Sequence, residues 1–186
     1  MEVPLILASS SPRRRELLTQ AGIPFEVDAP EVDETCDLPA AEAVAELSRR
    51  KALAAAAAHP GRLILAADTL VTLDGVSLGK PKDKEDAVRM LRRLSGRIHE
   101  VCTGVTVITP AGEALTGTDV SRVTFEEMTE DEIRGYVETG EPLDKAGAYA
   151  IQGRAALWIR RMEGSPSGVI GLPLDLVCRL LKRAGC

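Results

Sequence analysis

The chain has little to stack with: aromatic residues make up 3% of its 186 positions, with one tryptophan, two tyrosines and two phenylalanines. That scarcity argues against a platform for single-stranded nucleic acid, which needs rows of aromatic faces. Cysteine is sparse as well. Cys36, Cys102, Cys178 and Cys186 show no Cys-x-x-Cys spacing, and neither His59 nor His99 joins them in a ligand pattern, so structural zinc and a disulfide framework both lack support. No apolar run approaches the roughly 20 residues of a membrane span, and the start lacks a basic segment followed by a cleavable apolar stretch. A cytoplasmic protein with no membrane partner is the expectation. An excess of basic charge is missing too. With 28 acids against 23 bases the net charge is −5, which argues against a nucleic-acid partner held by broad electrostatic attachment. There is no Gly-x-x-x-x-Gly-Lys-Ser/Thr phosphate loop, no internal repeat, and no low-complexity run beyond Ala54 to Ala58. The length suits one substantial core or two small lobes sharing a sheet, and a single domain over residues 1–186 is expected.

What is present begins at residue 3. Val3 to Ala8 reads as a buried strand, Ser11 fits an N-cap, Pro12 fits the first helical position, and Glu16-Leu17-Leu18 continues the helix. Arg13, Arg14 and Arg15 therefore fall in an opening turn where unpaired N–H groups and the helix dipole already present positive charge. An arginine there costs a few tenths to about 1 kcal/mol, and a bound phosphate reverses that sign. Three successive helical residues fan across roughly 200° of the helix face, so at most two arginines address one ligand. Arg13 and Arg14 are nearest the turn, and Arg15 is assigned to the surface.

Further along, Phe25 to Val27 reads as a short strand and Pro30 to Pro39 as an acidic loop. Ala40 to Ala58 has a helical apolar face, with Ser48-Arg49-Arg50-Lys51 forming a basic patch midway. His59-Pro60-Gly61 stops it, and Leu63 to Ala67 reads as a central strand ending at Asp68. Val71 to Leu78 is a hairpin turning at Asp74-Gly75, and Asp83 to Leu94 a helix ended by Ser95-Gly96. Strands follow at Ile98 to Ile108 and Ala114 to Phe125, then a helix from Thr129 to Glu138 with Glu132 three residues after its cap. Leu157 to Arg161 reads as a strand and Leu172 to Arg183 as a terminal helix. Alternation first and hairpins later indicate an α/β fold around a mixed sheet.

Several side chains suit polyphosphate chemistry. Arg13 and Arg14 offer bidentate contacts to phosphate oxygens, and Lys51 and Lys80 offer point charges, Lys80 from a restrained Gly79-Lys80-Pro81 turn. Asp68, after a strongly apolar strand, is either a cap satisfied by nearby N–H groups or a carboxylate facing a cleft. Glu34 lies in an acidic loop that solubility alone would explain. Thr69 and Gln152 carry a hydroxyl and an amide able to read base edges, or are simply strand-end and turn residues.

The stretch Ser9-Ser10-Ser11-Pro12-Arg13-Arg14 resembles the signature of the Maf-like nucleotide pyrophosphatases. Ala66-Ala67-Asp68-Thr69-Leu70-Val71, Gly79-Lys80-Pro81, Leu94-Ser95-Gly96 and Asp144 to Gly153 resemble further blocks of that family, in its order, across nearly the whole chain. The resemblance implies an elongated sheet flanked by helices, with two lobes and an active-site cleft between them. It carries Ser9, Arg13, Arg14, Lys51 and Lys80 into phosphate binding. It makes Asp68 the general base or a metal ligand, with Glu34 its metal-binding partner. The implied cofactor is Mg²⁺ or Mn²⁺, held by oxygen ligands. Arg13, Thr69 and Gln152 together resemble the subgroup acting on dTTP and UTP, whereas a relative acting on 7-methyl-GTP differs there. Asp144 and Lys145 belong to a family block but suit a structural ion pair equally. The expected reaction is hydrolysis between the α and β phosphates, giving a nucleoside monophosphate and pyrophosphate, by a homodimer. The rival expectation is a nucleotide-binding regulator of cell division and septum formation with little turnover.

Overall fold

Three long strands run the length of one mixed sheet, and everything else hangs on them. The computed structural model describes residues 4–186. Its strands are β1 (Leu5–Leu7), β2 (Phe25–Val27), β3 (Ile64–Leu73), β4 (Val76–Leu78), β5 (Ile98–Ile108), β6 (Ala114–Phe125) and β7 (Ile159–Glu163). Its helices are α1 (Pro12–Gln20), α2 (Ala40–Ala58), α3 (Lys84–Leu94), α4 (Glu130–Glu138), α5 (Pro166–Ile170) and α6 (Leu174–Arg183). The strand order is β2-β1-β3-β5-β6-β7, with β4 on the free edge of β3. β1 runs parallel to β2 and β3, and the remaining pairs are antiparallel. Among the described residues no helix is long and apolar enough to cross a membrane.

Most expected elements stand where local chemistry put them. The hairpin turns at Asp74 (φ 53°) and Gly75 (φ 76°), the paired positive φ values a two-residue loop requires. Asp83 caps α3 by accepting from the Asp86 amide, and Thr129 and Glu132 close a reciprocal capping box on α4.

Some boundaries need correction. The first strand is Leu5–Leu7, shorter than expected, and Val3 lies outside the described residues. Ser11 occupies the N-cap position of α1 but its hydroxyl caps nothing; its amide instead donates to Ser9 Oγ at 3.3 Å. β7 starts two residues after Leu157, because Leu157 closes a 3₁₀ turn (Arg154–Leu157) and Trp158 takes its C-cap position. The terminal helix starts at Leu174, since Pro173 takes the N-cap position, and the separate helix α5 precedes it. The basic patch on α2 disperses: Ser48 is buried against Thr106, Arg50 pairs with Glu46, and Lys51 turns inward.

The largest correction concerns Asp68. β3 does not end there but continues to Leu73, its second half pairing with β4 and β5. Side chains alternate along it. Ile64 and Ala66 pack beneath α2 with Ala52 and Ala55, while Leu65 and Ala67 pack with Leu17, Leu18 and Val177 from α1 and α6. Further on, Val71 and Leu73 enter a second lobe built on Leu91, Ile133, Tyr136 and Phe125. On its free edge, β1 pairs only as far as Leu65 and the pairing with β4 begins at Val71. The intervening residues of β3 are left bare on that side, and a cleft opens over them.

Candidate active site

That cleft has a volume of about 930 Å³. Its walls include Ser9, Arg13 and Arg14 from the β1–α1 junction, Glu34 from the acidic loop, Lys51 from α2, Asp68 and Thr69 from β3, Lys80 from the hairpin exit, and Gln152. Every candidate named from the sequence is therefore brought to one cavity.

Strand alternation divides the cavity into two sides. Asp68 faces α2 with Ile64 and Ala66, and Thr69 faces α5. Both reach the same space because the edge between them is bare. On the first side, Lys51 Nζ lies 2.5 Å from Asp68 Oδ1 and 2.7 Å from Glu34 Oε1, one ammonium between two carboxylates. The Lys51 and Asp68 side chains are 14% and 12% exposed, so this pair is largely screened from water, whereas Glu34 is open at 64%. The Lys51 hydrogen bond holds the Glu34 carboxyl below its ordinary range despite the opposing effect of burial, with Lys80 and Arg14 adding to the pull.

Gly104 explains how α2 comes this close. It is the β5 partner of Asp68, and a Cβ there would lie 2.2 Å from the Val44 carbonyl oxygen of α2. The bare glycine lets the helix backbone settle onto the sheet at the row of the carboxylate.

On the second side, Arg14 is fully wired into the protein. Its Nε donates to the Gly171 carbonyl (2.8 Å), Nη1 to Ser9 Oγ (3.0 Å) and Nη2 to Thr69 Oγ1 (3.1 Å). Burial pushes its guanidinium down from the ordinary value, opposed by Asp68, and it stays a cation. Three of its five N–H groups are spent on position, which leaves two for a ligand. Arg13 is looser, 3.7 Å from Asp144 Oδ2. Asp144 also pairs with Lys145 at 2.6 Å, and Lys145 donates to the Glu141 carbonyl, so that block makes the structural ion pair the sequence allowed. Lys80 is exposed, and among the described residues it makes no ion pair. Arg15 lies on the surface, reaching only the Ser10 carbonyl.

Gln152 is exposed at the rim, on a loop tied down by α4. Tyr136 Oη accepts from the Ala150 amide (3.2 Å) and donates to Glu141 Oε1 (2.7 Å), and Glu141 in turn accepts from the Arg154 amide at 3.1 Å.

Three residues that hold this architecture were not singled out in the sequence: Thr103, Gly168 and Gly171. Thr103 Oγ1 lies 3.0 Å from Thr69 Oγ1 and donates to the Gly168 carbonyl at 2.9 Å. Ser165-Pro166 repeats the Ser11-Pro12 helix-start pattern and would have exposed α5, and with it the two glycines. Nothing marks Thr103 in its strand.

The model for the family described as Maf-like protein matches residues 4–184. A protein of Symbiobacterium thermophilum named dTTP/UTP pyrophosphatase is 51% identical over 184 residues, covering 97% of this chain and 94% of its own. One of the same name from Myxococcus xanthus is 52% identical, covering 97% of this chain and 92% of its own. Among solved structures, a HAM1 protein from Coxiella burnetii shares the fold, with a TM-score of 0.55 at 14% identity over 97% of this chain and 99% of that one.

Proposed function

This chain belongs to the Maf-like proteins, and on that footing we propose that it is a nucleoside triphosphate pyrophosphatase that hydrolyses dTTP and UTP between the α and β phosphates. The observation that carries the reading is Lys51 held between Asp68 and Glu34 in a cleft whose other wall bears Arg13, Arg14 and Lys80. A triphosphate needs cations along its length, an acceptor for a proton from water, and neutralisation of charge at the phosphorus.

The division of labour follows from the contacts. Arg14, pre-set by Ser9, Thr69 and the Gly171 carbonyl, presents phosphate donors without ordering a loose side chain, while Arg13 and Lys80 supply mobile charge. Asp68 has one oxygen pinned by Lys51, which leaves Oδ2 to orient water and take its proton. Gln152 and Thr69, which line the same cavity, offer an amide and a hydroxyl for reading a base edge.

A divalent metal fits the donor set. Two carboxylates already converge on one cation, and Mg²⁺ characteristically takes one or two carboxylates with the rest from phosphates and water. Among the described residues no three of His, Cys, Asp and Glu gather as a closed cage. Glu34 and Asp68 would hold the metal, which would supply neutralisation of charge on the phosphate oxygens.

Incubation of the purified protein with UTP or dTTP and Mg²⁺ should release the monophosphate and pyrophosphate, and chelation should abolish release. Orthophosphate with a diphosphate would overturn α–β cleavage. Tight nucleotide binding with no product would replace catalysis by a regulatory role.

A further inference from the structure

We propose that Thr103 is a positioning residue that takes up the Thr69 hydroxyl proton, leaves Thr69 only an acceptor toward the cleft, and so sets the preference for bases carrying an N–H at the middle of the pairing edge. The inference rests on the pyrophosphatase reading above and concerns how its substrate is chosen.

Each threonine hydroxyl has one proton to give. A backbone carbonyl only accepts, so the 2.9 Å contact between Thr103 Oγ1 and the Gly168 oxygen consumes the single hydroxyl proton of Thr103. That carbonyl is available because the Leu172 amide, its would-be helical partner, donates to Ser167 at 2.8 Å instead. The 3.0 Å contact between the two threonine hydroxyls then has one possible direction: Thr69 donates and Thr103 accepts. Arg14 Nη2 donates to Thr69 Oγ1 at 3.1 Å and occupies one lone pair. What Thr69 offers the cleft is its other lone pair and no proton.

The relay is held firmly. Thr103 is fully buried. Gly168 is locked between β6 and its own cap: a Cβ there would lie 2.5 Å from Asp119 Oδ2, and its amide donates to Ser165 Oγ at 3.1 Å.

Uracil and thymine carry one donor on their pairing edge, N3–H, flanked by two carbonyl oxygens. Cytosine has a bare N3 lone pair there. An acceptor-only hydroxyl facing N3 bonds the first two and repels the third. A hydroxyl free to rotate would donate to cytosine as readily as it accepts from uracil.

The test compares kcat/KM for UTP, dTTP and CTP in the native protein, Thr103→Val, Thr103→Ala and Thr103→Ser. The native protein should prefer UTP and dTTP to CTP. Valine fills the threonine's volume and alanine empties it, and both remove the hydroxyl. Both should lower the UTP:CTP ratio about tenfold, mainly by raising CTP turnover, the scale of one hydrogen bond changing sign. Serine should restore the native ratio. An unchanged ratio in the folded valine and alanine variants would overturn the inference while leaving the activity intact, as would a native protein that turns over CTP as readily as UTP. Serine behaving like valine would assign the effect to packing and overturn it too. A native protein with no turnover of UTP or dTTP sinks the pyrophosphatase reading, and this inference with it.

Discussion

Acidification should destabilise this protein through His99. The ring is 2% exposed in the second lobe, its Nε2 lies 2.7 Å from Tyr149 Oη, and its Nδ1 has no partner. The edge contacts with Phe125 and Tyr149 complete an apolar cage, with ring centroids 5.1 and 5.3 Å away. Burial pushes the imidazole down to about 4 from the ordinary 6.5. The folded state therefore holds His99 neutral over a range in which the unfolded chain binds a proton. Stability from this group is complete above pH 6.5 and is lost as the pH falls toward about 4. The slope is about 1.4 kcal/mol per pH unit within that window, so the loss reaches about 2 kcal/mol by pH 5 and about 3 kcal/mol by pH 4. A typical domain has 5–15 kcal/mol in total, which makes this one ring a sizeable fraction. His99→Gln keeps a polar partner for Tyr149 and cannot titrate. Urea midpoints at half-unit pH steps from 7.5 to 4 should show the native curve falling away from the variant's in that window. Parallel curves throughout would refute the assignment.

Three other outcomes follow from the geometry. Gly104→Ala should lower stability by about 3 kcal/mol or more and cut turnover, because the new methyl meets the Val44 carbonyl and lifts α2 with Lys51 from Asp68; an unaltered melting temperature would remove the close-approach argument. Thr129→Ala should cost about 1 kcal/mol in chemical denaturation by opening the α4 capping box, with kcat unchanged. Asp68→Asn should reduce kcat by about 10²–10⁴-fold with its far-ultraviolet circular dichroism intact, and full turnover would show that this carboxylate handles no proton.

How far the sequence could be read depended on how local the governing physics is. α2, the Asp74-Gly75 hairpin and the α4 capping box rest on periodicity, positive φ and caps, which lie within a few residues of one another. The two long antiparallel strands were legible for the same reason. The order of the strands was not, because β1 beside β3 and β5 beyond it are pairings over long separations that no short pattern encodes. Asp68 reads as the close of a strand because a carboxylate interrupts an apolar run; only the missing neighbour between Leu65 and Val71 explains why a polar side chain is tolerated mid-strand. Family blocks brought Ser9, Arg14 and Thr69 into one site, but their bonds to one another came only with the structure. α5 is five residues long, too short for periodicity, and Thr103 looks like any strand threonine.

The placing of Asp68 and Thr69 at adjacent positions of β3 has a corollary for how such a site changes over generations. A single-residue insertion or deletion between Leu65 and Asp68 would exchange the two sides, sending the acid toward α5 and the hydroxyl toward α2. Length variation is thus barred from this stretch of gene, and new substrate preferences must arise by replacing side chains or by remodelling the loops that overhang them.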